Sequence, residues 1–264
     1  MTEPFGSGFF TAYMEGALRS ARVLVPLVRQ LVEPRSVVDV GCGTGAFLKA
    51  FLDEGVDDVL GVDGAYVDRR LLLVPEGRFQ AADLGEPLRI GRQFDLALCL
   101  EVADDLAPER AAPFVRSLTE LAPAVLFSSA VPAQGGQCQR NEQWPDYWIR
   151  LFRERGYAVF DCIREAVWNR PEVEWWYAQN ALLFVREDVA ARRPDLRARS
   201  RDPVLPLVHP RLYLAVQASR GSGAGARLGL RRTLAALRRA AGRLVRPLGW
   251  GTRRGGASPP TVTS

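Results

Sequence analysis

Val37 to Leu48 reads V-V-D-V-G-C-G-T-G-A-F-L, and the reading of these twelve residues decides the fold. Val37, Val38 and Val40 form a short β-branched run broken only by Asp39, the composition of a buried parallel strand. Gly41, Gly43 and Gly45 alternate after it, and Ala46 to Phe51 opens as a helix. Strand, glycine turn and helix N-terminus make a nucleotide-binding corner. Glycines tolerate positive φ and let a ligand approach the backbone, and a helix N-terminus presents free N–H groups with a partial positive charge.

Two ligand classes fit such a corner. Gly41, Gly43 and Ala46 satisfy the dinucleotide pattern G-x-G-x-x-G/A. Asp39, Gly41, Gly43 and Gly45 also stand in register with the D-x-G-x-G-x-G signature, so the motif resembles that of Rossmann-like S-adenosylmethionine (SAM) dependent methyltransferases. That resemblance implies a loop wrapped around the methionine end of SAM. An acid two residues before the first glycine suits a ligand ammonium and sits poorly beside a pyrophosphate, which favours SAM over NAD.

Strands alternate with helices on both sides of this corner. Apolar positions at helical spacing run over 9–32, with Pro26 expected to kink or divide the helix and Pro34 to end it. Tyr13, Arg19 and Ser20 of that helix are placed either facing the ligand or in ordinary packing. A helix over 45–54 leads to a strand at Val59–Val62 ending in Asp63. A short helix is expected at 65–73, then strands at Arg78–Ala81 and Phe94–Leu100, the latter ending in Glu101. A helix from Pro108 to Leu121 and strands at Ala124–Ala130, Tyr157–Ile163 and Ala181–Val185 complete the pattern. It predicts an α/β, Rossmann-like, doubly wound, mostly parallel seven-stranded sheet with helices on both faces. Ligands of such sheets sit at the carboxyl ends of the strands. Asp39, the glycines, Asp63, Asp83 and Glu101 all fall at or near those ends.

Asp63 lies 18 residues after Gly45, the spacing expected of an acid that accepts from ribose hydroxyls. In methyltransferases of this type an acid after the third strand accepts from the adenine amino group, which implies that role for Asp83, with Leu84 beside it. The cofactor set is therefore Asp39, Gly41, Gly43, Gly45, Asp63, Asp83, Leu84 and Glu101, and no metal is expected. Five of six tryptophans lie between 144 and 176, where they either pack or wall a substrate pocket.

Further phrases, G-V-D-G, F-D-L-A-L-C-L-E-V-A, N-E-Q-W-P-D-Y-W and W-W-Y-A-Q-N-A-L-L-F, resemble a bacterial group of SAM-dependent methyltransferase-domain proteins over residues 9 to 186. The last two phrases are the restrictive ones. The chain departs from that group's pattern by placing Asp105 and Gln139 where its relatives tend to carry histidines; the one histidine is His209. A base, if the acceptor needs one, is then sought among Glu142, Asp105, Glu101 and Tyr147, with Glu142 first because it stands in the N-E-Q-W phrase.

The chain after the fourth strand reads C-L-E-V, without the N-P-P-Y or D-P-P-Y phrase of amino-directed DNA methyltransferases or a Pro-Cys nucleophile. The expected acceptor is thus a small-molecule or glycan hydroxyl, with no sequence-specific nucleic-acid binding. The competing readings are a SAM-binding or interaction protein with weak or no catalysis, and an NAD-linked enzyme.

With 264 residues, 47% of them hydrophobic, there is enough chain for one sizeable α/β domain and an appendage. No apolar run reaches the length of about 18–20 needed to span a bilayer, and the first residues lack a signal-peptide pattern, so a cytoplasmic location is expected. Cys42, Cys99, Cys138 and Cys162 show no C-x-x-C spacing and read as reduced thiols. The net charge of +5 is uneven: sixteen arginines between Arg192 and Arg254 face two acids, whereas the preceding chain carries 19 basic and 28 acidic residues. This sets a methyltransferase domain at 1–186 against an Arg-rich tail at 187–264, expected to be partly disordered with a basic amphipathic helix near 228–247. Such a helix suits a peripheral membrane contact, an acidic partner or solvent.

Overall fold

The computed structural model describes residues 7–135, 140–200 and 203–221; for 7–13 and 219–221 the description is of the backbone alone. The helix expected at 228–247 lies outside the described residues, as do Cys138 and Gln139. Helix α1 (Ser7–Val32) is followed by β1 (Ser36–Val40), α2 (Ala46–Asp53), β2 (Asp58–Asp63), β3 (Phe79–Ala81), β4 (Leu96–Leu100) and α3 (Ala111–Leu121). Then come β5 (Ala124–Ser128), α4 (Pro145–Arg153), β6 (Tyr157–Phe160), α5 (Arg164–Val167), α6 (Trp175–Asn180), β7 (Leu182–Arg186), α7 (Glu187–Ala190), α8 (Pro194–Arg199) and α9 (Pro210–Gly221).

The seven strands form one sheet in the order β3-β2-β1-β4-β5-β7-β6. All neighbours from β3 to β5 are parallel, in registers such as Val38↔Leu60 and Ala97↔Val125. β7 enters antiparallel between β5 and β6. The doubly wound, mostly parallel sheet expected from the sequence is the one observed.

The strands are apolar on both faces because both are covered. Val37, Val59, Leu96, Leu98, Leu126 and Leu183 pack with Leu24 and Val28 of α1, Phe47, Leu48 and Phe51 of α2 and Tyr177 of α6. Val38, Val40, Val62, Ala97, Cys99 and Phe127 face Phe114, Val115 and Leu118 of α3 and Trp148, Ile149 and Phe152 of α4. Trp148 is a packing tryptophan, its ring 5.1 Å from Phe127, whereas Trp144 is exposed.

Two local expectations meet the structure as follows. Of the two outcomes expected at Pro26, a kink or a division, the division does not occur, and α1 runs on through Pro26 to Val32. The helix expected at 65–73 is a single 3₁₀ turn, Arg69–Leu71. The Asp68 carboxylate accepts from the Arg70 N–H and caps that turn, while the Leu73 N–H donates to the Thr44 carbonyl and draws the segment back onto the glycine loop.

Packing also continues past residue 186. Ala190 of α7 and Leu196 of α8 join the core, and Leu212 of α9 is buried. The buried Arg164 guanidinium grips the Asp161 carboxylate through Nε at 2.9 Å and Nη2 at 2.5 Å. The same Nη2 donates to the Leu205 carbonyl at 2.9 Å, so the segment before α9 is tied to the domain.

Candidate functional site at the carboxyl ends of the strands

The strand order reverses between β1 and β4, and a crevice opens at such a switch point, outside the carboxyl ends of the strands. Asp39 and the glycine loop come from β1, and Glu101 follows β4, its neighbour in the sheet.

The three glycines of the loop all have positive φ, but for different reasons. At Gly41 a Cβ would lie 2.2 Å from Val102 Cγ2, so the position is closed by packing. At Gly43, with φ 54°, a Cβ would meet nothing within 4 Å. A glycine kept beside open space is what close approach of a ligand requires. α2 begins directly after the loop at Ala46.

Asp63, at the end of β2, is buried and braces the loop. Its Oδ2 accepts from the Gly43 N–H at 2.7 Å, and its Oδ1 accepts from the Gly64 N–H at 2.6 Å and the Tyr66 hydroxyl at 2.5 Å. A carboxylate offers about four lone-pair sites. Three donors occupy most of these sites, and one of them is the hydroxyl of Tyr66, a side chain that is 40% exposed. Burial and the neighbouring Asp63 carboxylate keep the Tyr66 phenol protonated.

Asp39 is buried with no donor to its carboxylate among the described residues. Desolvation first, and the Asp63 charge second, push its pKa up from 3.8 to about 8. A costly, unpaired carboxylate beside a glycine loop is suited to receive a cation. Asp83 is exposed and turns the chain after β3 by accepting from the Gly85 N–H at 2.8 Å; Leu84 packs onto the core behind it.

Glu101 has a left-handed backbone, φ 57°, immediately after β4. Its N–H donates to the Ser128 carbonyl at 3.0 Å. Its carboxylate is held from two sides: Oε2 accepts from Gln134 Nε2 at 2.9 Å and Oε1 from Asn180 Nδ2 at 3.0 Å. Asn180 and Gln179 both donate to Gln134 Oε1, at 2.9 and 3.0 Å. Non-glycine residues persist in this conformation where surrounding structure over-determines them.

The N-E-Q phrase supports the same array from behind. Asn141 N–H donates to the Asp104 carbonyl, and Gln143 N–H to the Ala130 carbonyl. Glu142 Oε2 accepts from the Ala133 N–H at 2.9 Å and Oε1 from the Gly135 N–H at 3.2 Å. Glu142 thus clamps the loop that carries Gln134. Both restrictive phrases of the sequence converge on Glu101, one through Gln179 and Asn180 and the other through Glu142. Gln134, Gln179 and Asn180 were not singled out from the sequence; the Q-N phrase was the only signal for two of them.

The remaining candidates sit differently. Asp105 is exposed, close enough to Tyr66 for its charge to help keep that phenol protonated, while its neighbour Asp104 is buried and accepts from Ser129 Oγ at 3.4 Å. Tyr147 is half-buried, edge-on to Trp148 at 5.0 Å and 5.6 Å beneath the Arg150 guanidinium. Ser20 accepts from the Glu174 N–H at 2.9 Å and Arg19 pairs with the Glu174 carboxylate at 2.8 Å, so both tie α1 to the start of α6. His209 meets the array through its backbone, its N–H donating to Gln179 Oε1 at 2.8 Å, while its ring is held elsewhere, Nδ1 accepting from the Arg211 N–H and Nε2 facing the Trp168 carbonyl at 3.0 Å. Burial pushes the thiols of Cys42, Cys99 and Cys162 upward, which leaves none of the three as a thiolate nucleophile.

A doubly wound sheet with an unpaired buried carboxylate in β1, a glycine loop directly after it and an acid ending β2 is the framework of a nucleotide-binding α/β domain. Residues 10–181 match the family model described as a methyltransferase domain, and the chain belongs to that family. A search of curated proteins finds no match. Among solved structures, the SAM-bound amino pentose methyltransferase CalS10 from Micromonospora echinaspora is 16% identical, with 70% of this chain and 99% of that one covered at a TM-score of 0.51. The sugar N-methyltransferase KedS8 from a Streptoalloteichus species is 18% identical over 64% and 87%, TM-score 0.49. The methyltransferase domain of a bacterial Hen1 is 19% identical over 64% and 98%, TM-score 0.47. S-adenosylmethionine is the cofactor of this domain, and the residues present fit it: an unpaired buried carboxylate at Asp39, open space beside Gly43 and a second carboxylate, Asp63, at the end of β2.

Proposed function

We propose that the chain transfers a methyl group from SAM to a hydroxyl of a small molecule or glycan. The observation that carries this reading is Glu101, an ionisable carboxylate held by two amides at the carboxyl end of β4, the strand beside β1 and its glycine loop. Bound SAM supplies an activated methyl on a sulfonium leaving group. Asp39 balances the methionine ammonium, Gly41, Gly43 and Gly45 shape the loop around that end, and Asp63 and Asp83 hold the ribose and the adenine amino group. Glu101 accepts the hydrogen bond of the acceptor hydroxyl, aligns its oxygen with the methyl and takes up its proton as the oxygen–methyl bond forms and the sulfur–methyl bond breaks. Alignment alone is worth up to about 7–11 kcal/mol in such a displacement. Glu142 acts on Glu101 through the Ala133–Gly135 loop and is a positioning residue.

The concentration of carboxylates at this end of the sheet, with Asp39, Asp63, Asp83, Glu101 and Asp105 all present, favours a neutral acceptor over a phosphate-rich one. A second reading, SAM binding with little turnover, is favoured by one observation: no histidine reaches the crevice, since His209 is held at Trp168 and Arg211.

The test is a methyl-transfer screen by mass spectrometry with hydroxyl-bearing small molecules and glycans, run beside calorimetric titration with SAM. The proposed function expects product from the native chain, and from Glu101→Gln a loss of turnover with SAM affinity kept. SAM binding without product from any acceptor supports the second reading. Methylation of amines or RNA in preference to hydroxyls refutes the acceptor assigned.

A further inference from the structure

The matched methyltransferase domain ends at residue 181, but the hydrogen bonds that lead to Glu101 begin beyond it, at His209. The His209 N–H donates to Gln179 Oε1 at 2.8 Å and so decides which way round that amide sits. An amide has one acceptor atom and one donor group. With Oε1 filled, Gln179 Nε2 donates to Gln134 Oε1 and to Asn180 Oδ1, both at 3.0 Å. Gln134 Oε1 also accepts from the Val131 N–H at 3.2 Å and from Asn180 Nδ2 at 2.9 Å. Both amide oxygens are then occupied, and Gln134 Nε2 and Asn180 Nδ2 reach Glu101, one to each carboxylate oxygen. The donors run in one direction, from His209 to Glu101.

His209 is itself fixed in place. Its ring lies 4.8 Å from that of Trp168, its Nε2 faces the Trp168 carbonyl, and its Nδ1 accepts from the Arg211 N–H in the first turn of α9. Four residues earlier the Leu205 carbonyl accepts from Nη2 of the buried Arg164, whose Nη1 donates to the Gln179 carbonyl at 3.4 Å. Leu212 is buried just beyond. Gln134, Gln179 and Asn180 are buried as well, where an unmade hydrogen bond carries its full desolvation cost. Turning any one of these amides round would set oxygen against oxygen or donor against donor, so the direction is shared by the whole network.

We propose that Gln179, oriented by the His209 N–H, is a positioning residue for Glu101: it sets the direction of the buried amides so that both oxygens of Glu101 receive donors and the side chain is presented as a carboxylate. The segment from Leu205 to Leu212, outside the matched domain, is thereby part of the acceptor side of the site. The proposal rests on the reading of Glu101 as the group that meets the methyl acceptor. Hydrogen bonds to the ionised form of a carboxylate favour that form, and an amide oxygen turned toward it favours the protonated one. The restrictive W-W-Y-A-Q-N phrase then has a use for its last two residues: Asn180 touches Glu101, and Gln179 aligns the two amides that do.

The test is nuclear magnetic resonance of the full chain, with the Glu101 carboxyl signal assigned by its loss in Glu101→Gln. Gln179→Met keeps the length of the side chain and removes the amide. In that variant Glu101 is expected to titrate at higher pH than in the native chain, and the His209 amide to exchange at least about tenfold faster. SAM affinity in calorimetry is expected to stay the same. With an acceptor that is turned over, kcat falls and the acid limb of its pH profile moves up with Glu101, while KM for SAM does not change. A Glu101 titration that does not move in a folded Gln179→Met chain would overturn the proposal. Should that variant fail to fold, the native chain decides. Its Gln179 side-chain amide and His209 N–H signals are expected to shift at the Glu101 midpoint and to lose that step in Glu101→Gln; signals indifferent to Glu101 would overturn the proposal. The resonance measurements need no methyl transfer, so their failure is distinct from turnover retained by Glu101→Gln, which would refute the proposed function instead.

Discussion

Replacing Asp39 with Asn separates what this carboxylate costs the apo fold from what it contributes to the cofactor. In the folded chain its pKa rises from 3.8 to about 8, because burial and Asp63 disfavour the charge. Between those values the folded state holds a proton that the unfolded state has released. Stability from this group is therefore full below about pH 4, declines as pH rises toward 8 and is lost above. At about 1.4 kcal/mol per pH decade the loss is at most on the order of 5 kcal/mol. Asn cannot ionise, so Asp39→Asn abolishes the decline. Burying its amide changes stability by the same amount at every pH, so the readout is the difference between two pH values. Denaturant unfolding of the apo chain at pH 5 and pH 9 should show native stability falling by several kcal/mol between them and the variant's changing much less. Calorimetry at neutral pH should show SAM affinity about tenfold to a hundredfold lower in the variant, the loss of a charge-assisted bond. Equal pH dependence in both proteins, or unchanged SAM affinity, would refute the assignment of Asp39 as the seat of the ligand cation.

Three other substitutions follow from the geometry. Gly43→Ala meets no clash and should cost about 1–2 kcal/mol of stability for its left-handed φ, yet lower SAM affinity by more than about tenfold, whereas Gly41→Ala should lower stability first because of Val102; thermal melts with and without SAM separate the two. Tyr66→Phe removes the hydroxyl that competes for Asp63 and should strengthen SAM binding by about threefold to tenfold in calorimetry. Arg164→Met leaves Asp161 buried and unpaired and should cost about 3–5 kcal/mol in denaturant unfolding, with the double variant Arg164→Met, Asp161→Leu costing less than the single one.

The glycine corner and the acids at the strand ends were legible because each rule involved is local: a strand, a tight turn and an acid at fixed spacing. The 65–73 segment was misread as a helix because its structure is set by Leu73 donating across to Thr44, a contact between loops that no periodicity announces. The array around Glu101 was only half legible. Neutral amides such as Gln134, Gln179 and Asn180 carry no charge pattern, and their partners lie 33 to 79 residues away in the chain. For the same reason Glu142 stood out in the sequence but not in its role, since its two backbone donors, Ala133 and Gly135, come from a loop shaped by the fold. Past residue 186 the arginine count dominated the reading and hid Leu196, Leu212 and the Arg164 bond to Leu205, which bind that stretch to the domain.

The central claim is that SAM lies across the carboxyl ends of β1 and β2 with its ribose on Asp63. Calorimetric titration of the native chain and Asp63→Ala with SAM, beside NAD as a control, tests it most directly. The account expects the native chain to bind SAM and not NAD, and the variant to lose about 1.5–3 kcal/mol of binding free energy with the ribose acceptor. SAM binding of equal strength in the two proteins, or binding of NAD in place of SAM, would contradict it.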